Sequence, residues 1–221
     1  KYSPLYLWGG RSAESNEKMF EDFNNLPNPT SGITSIEVDS YATFYKMIAG
    51  CNVVIDMINE VDGEENMKKR VEGEALVLRS FYYFNLINLY AYPYNTPNAP
   101  QGQSAGIPLK LSSAINQNSV SRSTVAEVYN SIINDIEKGI NLLTEVSGTK
   151  FRVGTRTAHL LASRYYLFME NWEKAAEHAN AIFSIPGGNL YLFDITTVTY
   201  PANTDGLDFP HPFTLDNPEI L

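Results

Sequence analysis

The chain has 221 residues, 43% of them apolar and 19% charged, with a formal net charge of −9. That supplies enough apolar surface for one sizeable core or two small ones and argues against disorder. The acidic balance, with no cluster of Lys or Arg, excludes a partner gripped through its phosphates, nucleic acid above all, and disfavours an anionic lipid surface.

A single cysteine, Cys51 in "MIAGCNVVIDMI", excludes an intrachain disulfide and a thiolate metal cage, and it reads as a small core residue. No run approaches 18 consecutive apolar residues, so no segment reads as a membrane-spanning helix. The chain opens at Lys1 rather than at Met, as a processed or trimmed product does. Any signal peptide or lipid-bearing terminus would lie upstream.

Six helices follow from apolar periodicity and end signals. A short one is expected over Ala13–Asn24, closed by the turn formers of "NNLPNPTSG". The second spans Tyr41–Val61, with Ser40 or Asp39 as N-cap. Its stripe is Tyr41, Phe44, Ile48, Cys51, Ile55 and Ile58, and Gly63 lies past its end. The third runs from about Glu64 to Tyr90. Within it and just beyond, "RSFYYFNLINLYAYPYN" (Arg79–Asn95) places seven aromatic residues in seventeen positions. On a helical wheel Leu78, Tyr82 and Leu86, then Val77, Phe81 and Phe84, then Tyr83, Ile87 and Tyr90 form three adjoining stripes. Only Arg79, Ser80, Asn85 and Asn88 break them. A helix apolar nearly all round is surrounded by others, so most of these rings read as scaffold.

Tyr92 to Arg122 is a long loop rich in Pro, Asn and Ser, with "GIPL" (Gly106–Leu109) as its one extended piece. Loops of this length within a domain are more often functional than idle. The fourth helix opens with a capping box, Thr124 and Glu127, and carries Val125, Val128, Ile132, Ile136, Ile140 and Leu143 on one stripe, with Gly148 beyond it. The fifth and sixth, Thr157–Glu170 and Trp172–Ser184, have so short a connection that they must form an antiparallel hairpin. Ala162, Ser163, Tyr166, Trp172, Ala175 and Ala179 have the small-and-aromatic spacing of a tetratricopeptide repeat, which gives Trp172 a packing position. One hairpin cannot bury both its faces, so further helix pairs must stack on it. The tail from Pro186 to Leu221 keeps no period.

The ordered segments resemble the SusD/RagB family. "EGEALVLRSFYYFNLINLYAYPYN" (Glu72–Asn95) followed by "GIPL" is similar to its signature helix and loop. "IAGCNVVIDMI" resembles the helix before these, and "RSTVAEVYNSIINDIEKGINLL" (Arg122–Leu143) the helix after them. "RVGTRTAHLLASRYYLFMENWEKAAEHANAIF" (Arg152–Phe183) resembles the family's hairpin, and "NPEIL" the start of its second half. The resemblance implies an all-α fold of tetratricopeptide-like hairpins in a right-handed superhelix with long irregular loops. Residues 1–186 would form the N-terminal helical domain, and 187–221 a tail leading into a further half. It also implies a surface lipoprotein of the outer membrane that has no chemistry or cofactor of its own. Such proteins pair with a SusC-like TonB-dependent transporter and capture oligosaccharides, or peptides in the RagB-like branch, for import. An intracellular tetratricopeptide scaffold and a glycan-processing enzyme are the competing classes.

Sugar capture requires rings to stack on pyranose faces, with amides, carboxylates or guanidinium groups to bond the hydroxyls. "LYLWGGRSAESN" and "EDFNNLPNPTSG", followed by the second helix, offer that mixture, and the candidate ligand residues are Trp8, Arg11, Asn24, Asn28, Tyr41 and Tyr45. Trp8 beside Gly9-Gly10 serves equally as a stacking platform or as a cap under the array. Tyr92 and Tyr94 read as ligand contacts, transporter contacts or loop staples. His159 and His178, on the two arms of the hairpin, are placed to approach one another. Two histidines fall short of the three or four convergent ligands a metal site wants. No nucleophile elbow, zinc-protease helix or phosphate-binding glycine loop is present, and no pair of acids stands out for glycoside hydrolysis.

Overall fold

The computed structural model describes residues 40–114, 120–143 and 152–186. The expected helix Ala13–Asn24, the cap at Asp39, Gly148 and the tail from residue 187 lie outside the described residues, as do the candidates Trp8, Arg11, Asn24 and Asn28.

Five helices are described: α1 (Ser40–Met57), α2 (Glu65–Tyr90), α3 (Val125–Leu142), α4 (Thr155–Phe168) and α5 (Trp172–Ser184). Each packs on the next in sequence, so the array grows by nearest-neighbour contacts, as tetratricopeptide-like stacks do. α1 stops four residues short of the expected Val61 and tightens into a 3-10 turn, Ile58–Glu60, which buries Ile58 before Gly63 turns the chain. α2 begins one residue after Glu64, its N-cap. At α3 the capping box is complete. The Thr124 hydroxyl accepts from the Glu127 amide at 3.2 Å, and the Glu127 carboxylate accepts from the Thr124 amide at 2.7 Å.

α4 starts two residues earlier than the period predicts. The Thr155 hydroxyl donates to the Leu143 carbonyl at 2.6 Å and fixes that start against the end of α3. Between α4 and α5, Glu170 adopts φ 59 and Asn171 caps α5 by accepting from the Lys174 amide. The hairpin is antiparallel in register. The Ser163 hydroxyl reaches the Ala175 carbonyl at 2.8 Å, and His159 meets His178 one turn along.

The core confirms that most of the aromatic stretch is scaffold. Tyr83, Tyr129, Tyr165, Leu86, Ile107 and Ile132 are fully buried, and Phe84 lies 4.6 Å from the Tyr165 ring and 6.3 Å from Tyr129. Trp172 departs from its expected packing position. It is 63% exposed while Ala175 beneath it is buried. As the first residue of α5 it stands where the turn has already ended, and no neighbour among the described residues encloses its ring.

α2 and α3 cross at a pair of glycines. A Cβ on Gly139 would lie 2.7 Å from the Val77 Cγ2 and 3.1 Å from the Gly73 carbonyl oxygen. One on Gly73 would meet Leu142 and Leu143 at 3.1 Å. Val77 is fully buried and branched, so it has no free end to swing away. Gly139→Ala is therefore expected to destabilise the protein by about 1–3 kcal/mol despite its better helix propensity. Chemical denaturation monitored by circular dichroism measures this.

Candidate functional site

The long loop after α2 is pinned from below rather than draped over the surface. Its extended piece forms strand β1 (Ala105–Pro108), paired antiparallel with β2 (Arg122–Thr124) in the register Ala105 with Thr124 and Pro108 with Arg122. Arg122 adds hydrogen bonds to the Gly106 carbonyl at 2.6 Å and the Tyr90 carbonyl at 3.2 Å, bridging the strand to the end of α2. There a cation also meets the negative end of the helix dipole.

Beneath the loop sits a buried ion pair. The Arg79 guanidinium on α2 bonds both carboxylate oxygens of Asp135 on α3, each at 2.7 Å, with both side chains 8% exposed. Burial works against the Arg79 charge, but the Asp135 hydrogen bonds outweigh it and hold the guanidinium above its ordinary range. Its remaining donors reach the Asn52 side-chain oxygen at 2.8 Å and the Leu111 carbonyl at 3.3 Å. Asn52, from α1, turns its amide to the carbonyls of Lys110 at 2.8 Å and Ser112 at 3.3 Å. The Tyr83 hydroxyl donates to the Lys110 carbonyl and accepts from the Lys110 amide, both at 2.8 Å, and burial pushes its phenol up to about 12. Asp56 gathers the Ser113 amide and hydroxyl and the Ser112 hydroxyl, which hold its carboxyl below the usual range. Residues 108–113 thus receive polar contacts from α1 and α2, and Asp135 reinforces them from α3.

In the sequence Arg79 merely interrupts an apolar helix. The readable signal was complementary. Asp135 occupies a core position of α3 beside Ile132, Ile136 and Gly139, and a carboxylate there needs a partner within the core.

Of the candidate ligand residues, the structure places two. Tyr41 and Tyr45, one turn apart on α1, have ring centroids 4.7 Å apart, and Tyr90 from α2 meets Tyr41 edge-on at 5.1 Å. All three are partly exposed. The Tyr45 hydroxyl donates to the Pro108 carbonyl at 2.7 Å, so that end of the ring belongs to the loop scaffold. Burial, and then the hydrogen bond with Tyr41, raise its phenol far above the ordinary value. What Tyr45 has to offer a ligand is ring surface, not its hydroxyl. Tyr94 packs on Tyr129 at 5.3 Å and reads as a loop staple, whereas Tyr92 is 71% exposed. Burial pushes the Cys51 thiol up to about 11, in keeping with a core role. Among the described residues no group of three or more His, Cys, Asp or Glu is placed to hold a metal ion.

Asp135→Ala leaves the Arg79 charge buried without its partner and is expected to cost about 3–5 kcal/mol in a denaturation experiment. The double replacement Arg79→Met with Asp135→Leu recovers most of that loss while hydrogen exchange at Lys110–Ser113 stays accelerated, because the apolar pair cannot bond the loop.

The chain is similar in sequence and fold to several known proteins. A SusD superfamily protein from Bacteroides thetaiotaomicron is 30% identical with a TM-score of 0.63, covering 70% of this chain and 33% of that one. A SusD-like carbohydrate binding protein from Bacteroides vulgatus is 26% identical with a TM-score of 0.61, over 72% of this chain and 33% of its own. SusD-like protein P2 of Formosa agariphila is 25% identical over 141 residues, 63% of this chain and 26% of that protein. This chain therefore spans a quarter to a third of the length of these relatives. A shorter likeness, 30% over 93 residues, to argininosuccinate lyase of Clostridium novyi covers 38% of this chain and 21% of that enzyme. Residues 11–167 match the SusD-like family model described as starch-binding associating with outer membrane. That match takes in more than half of the sequence, and the chain belongs to the SusD-like family.

Proposed function

We propose that the chain is the helical part of a non-enzymatic surface protein that captures oligosaccharides and delivers them to a SusC-like TonB-dependent transporter for import. The observation that carries this reading is the family match over residues 11–167, whose description is one of starch binding at the outer membrane. Anchoring would come from a lipid upstream of the sequence, the arrangement that the family resemblance implies. The Tyr41–Tyr45–Tyr90 rings supply stacking surface on a rigid support. Trp8, Arg11, Asn24 and Asn28, in the segment leading into α1, supply a further ring and hydrogen-bonding groups. The pinned loop at residues 105–114 is a preformed face for ligand or transporter, since its backbone is ordered before either arrives.

Calorimetric titration of the full-length protein against host and plant oligosaccharides, with a peptide mixture alongside, tests this. Saturable heat from one glycan class is expected. Trp8→Ala weakens it about tenfold, or about 1.4 kcal/mol. Heat from peptides alone would move the protein to the peptide-importing branch, and silence on both panels would overturn nutrient capture. Tyr45→Phe keeps the ring and loses the bond to Pro108, so it should cost about 1 kcal/mol of stability and leave glycan affinity unchanged.

A further inference from the structure

Glu137 on α3, His159 and Tyr166 on α4, and His178 on α5 form one connected chain of hydrogen bonds. His178 Nε2 lies 3.1 Å from Glu137 Oε1, and the Tyr166 hydroxyl lies 2.8 Å from the same oxygen. The Nδ1 atoms of His159 and His178 are 3.0 Å apart. The Tyr166 ring stacks on His178 at 5.4 Å and 17°. His178 is 5% exposed.

Counting protons gives every bond in the chain a direction. A carboxylate only accepts, so His178 Nε2 and the Tyr166 hydroxyl donate to Glu137. A neutral imidazole protonated at Nε2 presents Nδ1 as an acceptor, so the proton between the two rings belongs to His159 Nδ1. The two histidines therefore hold opposite tautomers. A further proton on His178 has only Nδ1 to occupy. There the bond survives by reversing, as His159 moves its own proton to Nε2 and accepts at Nδ1. A single added proton on either ring thus keeps one N–H between them, and a second sets two N–H groups against each other across 3.0 Å. Glu137 aside, charged groups in electrostatic reach of this cluster include Lys174 and Glu177 of α5, paired with each other at 2.6 Å, and Glu173 beside Lys174. On the flanking turns, Lys138 of α3 bonds Glu72 and Arg156 of α4 bonds the Pro186 carbonyl.

We propose that this chain is a proton-operated latch, in which neutral His159 and His178 lock α5 onto α3 and α4 and acidification releases the lock. Burial, and then the neighbouring His178, hold His159 below the ordinary histidine value. The unfolded hairpin, at about 6.5, therefore takes up its proton first. Stability from the latch is complete above that pH and is lost as the medium becomes more acid.

Two measurements on the intact protein test this. Long-range proton–nitrogen NMR at pH 8 should show His178 protonated at Nε2 and His159 at Nδ1, and any other pair of tautomers overturns the latch. Hydrogen exchange of the α5 amides, corrected for intrinsic rate, should accelerate between pH 8 and 5.5. Because the unfolded value lies near 6.5, stopping at pH 5.5 limits the gain to about tenfold for each proton that the folded pair refuses. His159→Asn places a non-titrating N–H near the position of Nδ1 and should flatten that dependence. Equal corrected exchange at the two pH values, or a His159→Asn protein as acid-sensitive as the wild type, overturns the proposal.

Discussion

The contact between Arg79 and Asp135 organises the described part of the molecule, because it joins two helices and a loop through a single desolvated charge pair. A guanidinium offers five donors in a plane. Two lie on Asp135, and two more run to Asn52 and to the Leu111 carbonyl. Asn52 carries the pattern onward from α1 to Lys110 and Ser112. A lysine at position 79 would lack the fork that holds Asp135 in two bonds while still facing the loop. The pair contributes little net stability beyond what apolar residues of the same volume would give, and its distinctive effect is to fix one loop conformation.

Around that pair the array is simple. Each interior helix buries one face on its predecessor and another on its successor, so helices such as α2 are apolar nearly all round. The glycines at the α2–α3 crossing bring the two backbones close, and this lets Arg79 and Asp135 meet at bonding distance without long, mobile reaches across the interface. The buried hydroxyls of Tyr83 and Tyr129 find partners at the loop and at Asn88, so the large rings fill the core without leaving polar atoms stranded.

Much of this was legible in the sequence. Period and capping chemistry located α2, α3 and α5 to within a residue or two, because long amphipathic runs with Thr124–Glu127 or a tight turn leave few alternatives. The end of α1 was missed because a 3-10 turn continues the same apolar spacing. Trp172 was misplaced because a repeat-like spacing says which residues share a face and not whether a neighbour extends far enough to cover it. The loop clamp escaped notice because its acceptors are backbone carbonyls, which carry no sequence signature. Of the candidate ligand residues, Tyr41 and Tyr45 lie side by side because one helical turn separates them. The hydroxyl of Tyr45 proved tied to Pro108, a contact that depends on a residue 63 positions away.

The pairing of β1 with β2 has a consequence for variation among proteins of this design. The excursion between Pro108 and Arg122 leaves and re-enters the fold at a hydrogen-bonded pair of residues. Closing a loop between fixed ends becomes costlier only slowly as residues are added, by about 0.6 kcal/mol for each doubling of its length. Insertions and deletions between Ser113 and Arg122, past the residues that Arg79, Asn52, Tyr83 and Asp56 hold, therefore leave the helical frame almost untouched. The two short strands act as a clasp at the neck of an exchangeable segment, and recognition can diverge there while the core residues stay as they are.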